Sequence, residues 1–251
     1  MMPDLPQPIP AATLILIRSG TSDAPEILVM ERTKNMAFAA GALVFPGGRI
    51  DPQDIMLANR FHHADAAARI AAIRETIEET GIAAAILPHP DEATINLLRS
   101  GLAVGAVFDD LLRAHNLALN LDALTPFAHW CPNFNETRRF DTRFYVAEAP
   151  INAHKISTND IEARCVFWAS AKAILAEIEA GRAHAIFPTR RNLERLACFA
   201  SIEEARANAK RYPVQKITPW VEEREGCNWV CIPEGIGYPV TAELFETARR
   251  R

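Results

Sequence analysis

The chain has 251 residues and a net charge of −4, from 27 basic and 31 acidic residues. Hydrophobic residues make up 49% and charged residues 23%, the balance of a soluble globular protein long enough to bury a core. There is no global basic excess to favour nucleic acid or an anionic membrane, and neither a basic leader nor a run of membrane-spanning length is read.

After a proline-rich lead-in, "ATLILIR" (12–18) and "EILVMER" (26–32) read as two strands joined by a loop. "GALVFPGG" (41–48) ends in a proline-glycine turn. Residues 65–80 read as a helix closed by Gly81, and short helices are expected within 88–125, at "DEATINLLRSG" and "VFDDLLRAHN". "DTRFYVAEAP" (141–150) and "EARCVFWAS" (162–170) look like strands. "AKAILAEIEAG" follows as a helix ending at Gly181, and "SIEE" (201–204) has the pattern of a capping box. "VEEREGCNWVCIPEGIGYPV" suggests no role. Strands and helices mix without a regular βαβ rhythm, so the expected fold is α/β (α+β), a mixed sheet with helices on both faces.

The five cysteines, Cys131, Cys165, Cys198, Cys227 and Cys231, are odd in number and irregularly spaced. Free thiols in a reducing cytosol are the expectation, and with it a cytoplasmic location. Cys227 and Cys231 lack the second pair or nearby histidines that a zinc site would need.

The helix "AAIRETIEETGI" (71–82) raises a question of charge. At about 100° per residue, Glu75, Glu78 and Glu79 share one side, while Ala66, Ile70, Ile73 and Ile77 share the other. A solvated acidic face is the ordinary explanation. Yet Glu75 and Glu79 form a like-charge i,i+4 pair that costs about 0.2–0.5 kcal/mol, and all three lie near the helix C-terminus, where the dipole disfavours anions. Arg74 offsets part of this. A divalent cation would offset more, because hard cations take carboxylate oxygens.

Upstream stands "FPGGRIDPQD" (45–54). Gly48, Asp54, then Arg74, Glu75, Glu78, Glu79, Gly81 and Ile82 follow one another in the order of the Nudix box, and the sequence resembles the Nudix hydrolases. In two places it departs from the box. Asp54 stands where the family usually has glutamate, and nineteen residues separate it from Arg74, a longer spacer than usual. Thr76 also occupies a position usually small or apolar. "MERTKNMAFAAGALVFPGG", the interrupted box and "RRFDTRFYVAEAP" are similar to the branch containing the peroxisomal coenzyme A diphosphatases and their bacterial relatives. Arg32, Thr33, Gly41 and FPGG fit a pattern of many coenzyme A enzymes, while Ala37 replaces its second arginine.

The resemblance implies a single Nudix-type α/β/α sandwich over residues 1–251. It would carry an insertion inside the box (about 55–66), a helical insertion (about 88–125) and a C-terminal extension (about 200–251). It implies hydrolysis of a nucleoside diphosphate linked to X with Mg²⁺ or Mn²⁺. Glu75, Glu78, Glu79, the Gly47 carbonyl and Asp54 are the implied ligands, and Arg74 would orient a glutamate. The general base stays open among Glu78, Glu79 and Glu162. Arg32, Arg139 and Arg143 are candidates for holding substrate phosphates. Alternation would place Arg139, Asp141 and Arg143 on one strand face, where a salt-bridged surface is the competing explanation. Phe127 and Trp130 are expected in the core, and His62 and His63 in a surface turn. The expected X is that of coenzyme A or an acyl-coenzyme A, with NADH or ADP-ribose as the alternative. A non-catalytic ligand sensor and an RNA-end hydrolase are the rivals. The expected partner is a small nucleotide-derived diphosphate, with no nucleic acid or membrane, and a homodimer remains open.

Overall fold

A computed structural model describes residues 6–20, 24–33, 39–133, 138–151, 153 and 163–248. Its first half contains β1 (Ile9–Arg18), β2 (Glu26–Arg32), β3 (Leu43–Val44), β4 (Gly47–Arg49), α1 (Pro52–Ala58) and α2 (Ala66–Thr80). Then come β5 (Ile86–Leu87), α3 (Glu92–Ala103), α4 (Phe108–Ala114), β6 (Ala118–Leu119), a 3₁₀ turn (Leu121–Ala123) and β7 (Thr125–Trp130). The second half holds β8 (Phe140–Glu148), β9 (Ala163–Ser170), α5 (Ala171–Glu179), α6 (Phe187–Leu196), α7 (Ile202–Arg211) and β10 (Lys216–Ile217). Finally come β11 (Trp220–Arg224), β12 (Cys227–Cys231), β13 (Ala242–Leu244) and α8 (Phe245–Ala248).

Residues 11–17 of β1 are buried throughout, which is why this strand reads as a continuous apolar run rather than an alternating one. It is a central strand. β8 runs parallel to it along its length, and beyond β8 lie antiparallel β7 and parallel β10. Its other edge is shared. β2 pairs with it at Ile17 and Arg18, while β4 pairs with it at Ala11, Ala12 and Thr13. The Phe45–Pro46 step crosses between these edges, and Leu14 N donates to the Pro46 carbonyl at 2.9 Å. β2 continues outward to β3 and β9. Among the described residues this gives an eight-stranded mixed sheet.

Each face of the sheet carries its own core. On one side, Ala12, Leu14, Leu16 and Tyr145 pack against Ile70, Ile73 and Ile77 of α2 and against Leu98, Leu102, Phe108 and Leu112 of α3 and α4. On the other, Ile15, Val29, Phe127, Trp130 and Val146 pack against Ile174 of α5, Leu193 and Leu196 of α6 and Ala205 of α7. The two layers of helices around one sheet make the α/β/α sandwich. Phe127 and Trp130 are core residues, 1% and 0% exposed. Residues 220–244, to which the sequence assigned no role, form a separate antiparallel sheet in the order β11-β12-β13. No helix among the described residues is long and apolar enough to cross a membrane.

Candidate active site

Helix α2 begins at Asp65 and ends with Gly81 in the left-handed region (φ 69°), where the absence of a Cβ removes the penalty. Isoleucines 70, 73 and 77 face the sheet as their spacing requires. The opposite side is only partly open to solvent, with Glu75 and Glu78 half-buried. Arg74, Thr76, Glu79 and Thr80 are also buried, because β4, α1 and α3 pack around the helix. Thr76 and Thr80 tolerate this by donating their hydroxyls to the Ala72 and Thr76 carbonyls, at 2.7 and 2.6 Å.

Against this helix lies the glycine turn. Gly47 N donates to Glu79 Oε2 at 2.9 Å. A Cβ on Gly48 would stand 2.3 Å from the Glu75 carboxylate, so glycine is what lets the loop backbone reach the acid. A Cβ on Gly47 would stand 2.4 Å from the Ala12 carbonyl oxygen. The two glycines therefore allow a three-way contact of loop, central strand and α2.

Arg74 organises the carboxylates. Its Nε and Nη2 grip Asp54 at 3.0 and 2.9 Å, its Nη1 reaches Glu78 at 2.7 Å and Glu75 at 3.1 Å, and Nη2 also donates to the Arg49 carbonyl. Burial works against the guanidinium charge, but Asp54, Glu75 and Glu78 more than restore it and hold its pKa above the ordinary value. Burial also pushes the Glu75 carboxyl up to about 7, with Arg74 pulling down and Glu78 adding to the rise.

The candidate residues do not all occupy this place. Asp54 has a fully buried side chain, and its oxygens are engaged by Arg74 and by the Asp51 N–H at 2.8 Å. It sits on α1, at the edge of the expected box insertion, and couples that helix to Arg74. Arg143 is exposed on β8, and Arg139 precedes that strand and donates to the Pro132 carbonyl at 3.1 Å. Asp141 and Arg143 share the face that carries Tyr145. Asp141 is salt-bridged there, to Lys216 at 2.7 Å. Arg32 ends β2, and its buried Nε has no partner among the described residues. Glu162 and Ala37 lie outside the described residues. His62 is exposed in the turn after α1. The sequence reading missed Asp51, whose spacing to Asp54 is that of a capping box, and Arg99, which donates to the Glu78 carbonyl at 3.1 Å. Only Asp51 left a local signal.

A Nudix hydrolase from Alicyclobacillus acidocaldarius is similar in structure. It superposes with a TM-score of 0.71 at 28% identity, over 80% of this chain and 96% of that one. In sequence, a probable nudix hydrolase of Schizosaccharomyces pombe is 33% identical over 75 residues, 30% of this chain. The chain shares the fold of the Alicyclobacillus Nudix hydrolase. The fission-yeast relative is matched over only 22% of its own length, and no protein-family model matches the chain. A MutT protein from Methanosarcina mazei overlaps at a TM-score of 0.42 and 17% identity, too distant to bear on function. Nudix enzymes generally use divalent cations. The donors around α2 are hard carboxylate and carbonyl oxygens, which suit such ions. Among the described residues no three acidic, histidine or cysteine side chains converge on one point. Glu79 is turned to Gly47 N, and Glu78 to Arg74.

Proposed function

We propose that the chain hydrolyses the diphosphate of a nucleoside diphosphate linked to a second group, with coenzyme A or an acyl-coenzyme A as the first candidate. One observation carries the reading: Gly47 and Gly48 bear directly on Glu79 and Glu75, while Arg74 bridges Glu75 and Glu78. A glycine loop that delivers backbone to a cluster of carboxylates suits a bound diphosphate better than a solvated acidic face would.

Glu75, Glu78, Glu79 and the Gly47 carbonyl would hold Mg²⁺ or Mn²⁺. When bound, such an ion neutralises the diphosphate and lowers the pKa of the attacking water. The rest of the work falls to side chains. Glu78 or Glu79 accepts the proton of the attacking water. Arg74 holds Glu78 in place through a charged hydrogen bond. Asp54 is a positioning residue in this reading rather than a ligand, because Arg74 and Asp51 occupy its oxygens. Arg143, Arg139 and Arg32 remain the candidates for substrate phosphates. We read the chain as one domain with its insertions at about 55–66 and 88–125 and its extension from about 200.

The test is a substrate panel of coenzyme A, acetyl-coenzyme A, NADH, ADP-ribose and a capped RNA, with Mg²⁺ and with Mn²⁺, beside Glu78→Gln. Turnover of coenzyme A or its acetyl ester, lost in the variant, is expected. Turnover of NADH or ADP-ribose instead would move the assignment to those diphosphates. Binding without turnover would make the protein a ligand sensor.

A further inference from the structure

Strand register extends the site across the sheet. Gly48 pairs with Ala12, Ala12 with Arg143, Arg143 with His129 and His129 with Lys216. Directly paired residues present their side chains to the same face. That face is the one covered by α2, because Ala12 and Tyr145 belong to the core on that side. One rung therefore runs from the glycine that meets Glu75 to a row of polar side chains. At a strand spacing of about 4.8 Å, Arg143 Cα lies about 10 Å from Gly48, and Lys216 Cα about 19 Å. Lys216 is thus beyond the reach of a single diphosphate held at the glutamates.

Asp141 organises the outer end of the row. Its Oδ1 meets His129 Nε2 and its Oδ2 meets Lys216 Nζ at 2.7 Å, which fixes the two side by side. Burial, partly opposed by Asp141, lowers the pKa of His129, and the charges of Arg143 and Lys216 lower it further. With His129 neutral, Asp141 offsets one of the two cations and leaves the row with one positive charge. Arg143 is exposed and has no ion-pair partner among the described residues, and the Lys216 side chain is 48% exposed.

We propose that Arg143 and Lys216, set in place by the His129–Asp141 pair, form a subsite for a phosphate monoester that the substrate carries beyond its scissile diphosphate. The proposal rests on the hydrolase reading above and narrows it to phosphorylated nucleoside diphosphate derivatives. Arg143 supplies a planar fork for phosphate oxygens, Lys216 a point charge, and Asp141 the geometry of the pair. The competing explanation is that His129, Asp141 and Lys216 only tie β10 to the sheet edge.

Binding and turnover test these separately. Calorimetry of the full-length protein with 3′,5′-ADP and 5′-AMP should show the bisphosphate bound about tenfold more tightly. Coenzyme A should likewise show a KM about tenfold below that measured for its 3′-dephospho form. In Lys216→Met both preferences should shrink to within about threefold, and Arg143→Ala is the second variant should the first fail to fold. Equal binding of the two nucleotides by the wild type, or a preference that survives in both variants, overturns the subsite. A preference for 3′,5′-ADP, lost in Lys216→Met, without turnover of any diphosphate supports the subsite and overturns the hydrolase reading instead.

Discussion

Helices α2 and α6 lie on opposite faces of the same sheet, and each buries an arginine almost completely. The side chain of Arg74 is 3% exposed and that of Arg191 is 1%. Arg74 has partners on all three of its nitrogens: Asp54, Glu78, Glu75 and the Arg49 carbonyl. Arg191 uses Nη2 alone, toward Glu194 at 2.6 Å and Glu243 at 3.1 Å. Its Nε and Nη1 are buried without a partner among the described residues. Burial lowers the proton affinity of both. For Arg74 the carboxylates prevail and raise its pKa, and for Arg191 burial prevails and lowers it. A buried charge is thus no measure of stabilisation in itself, and what it contributes depends on how fully its hydrogen-bonding atoms are met.

The largest effect expected from this contrast is at Asp54. Asp54→Ala removes the two-pronged partner of Arg74 and leaves a buried guanidinium short of acceptors, which costs about 3–5 kcal/mol. Urea unfolding should show it as a lower midpoint with an unchanged slope. Asp54→Asn keeps one acceptor and should lose less. Were Asp54→Ala as stable as wild type, Arg74 would be no better supported than Arg191 and the contrast would collapse.

Next comes Glu78→Gln, which keeps an oxygen for Arg74 but removes the carboxylate charge. Cleavage of the diphosphate, followed as nucleotide product, should fall about 10²–10³-fold, the scale of losing one electrostatic stabiliser in an active site. The unfolding midpoint should hardly move. A large loss of stability with activity retained would turn Glu78 into a structural partner of Arg74 and take it out of the chemistry.

The two regions also differ in how much of them the sequence discloses. Around α2 the signals are local. The 3.6-residue spacing of Ile70, Ile73 and Ile77 marks the inward face, and Gly81 marks the end. Gly47 and Gly48 stand a short way upstream of the glutamates they touch. What could not be read was the environment of Asp54. Its place in the box suggests a ligand, but its spacing says nothing of a guanidinium closing on it from 20 residues away. Around α6, the charged residues of "FPTRRNLERL" carry no local mark of burial. The stretch is buried because Glu243, Asn208 and Tyr238 come to it from distant parts of the chain. Arg195, for example, is held by Asn208 at 2.7 Å and donates to the Phe127 carbonyl at 2.8 Å, a partner 68 residues before it. β11 left little signal for a related reason: every residue of it is exposed, so no inward face sets a pattern.

A smaller effect tests the end of α2. Gly81 sits at φ 69°, and Gly81→Ala should cost about 1 kcal/mol by placing a Cβ in the left-handed region. Thermal unfolding would register it. If the cost exceeded this scale by several-fold, the cap would be acting through the neighbouring carboxylates rather than through backbone conformation alone.

The smallest effect is expected at Arg191, and it tests the contrast most directly. Arg191→Met removes a desolvated charge and fills its place with an unbranched apolar side chain. Glu243 keeps Arg190 at 2.6 Å, and Glu194 keeps the same arginine at 3.4 Å, so neither acid loses its only cation. Phe187, over which the Arg191 guanidinium now lies at 5.0 Å, would receive the thioether instead. Replacing a poorly satisfied buried ion with a hydrophobe is often neutral or stabilising, so stability should stay within about 1 kcal/mol of wild type or rise. Urea unfolding of Arg191→Met beside Asp54→Ala then compares the two arginines on one scale. A loss of about 3 kcal/mol or more in Arg191→Met would mean that its two lone nitrogens are met by ordered water, and that the two helices bury their arginines on equal terms.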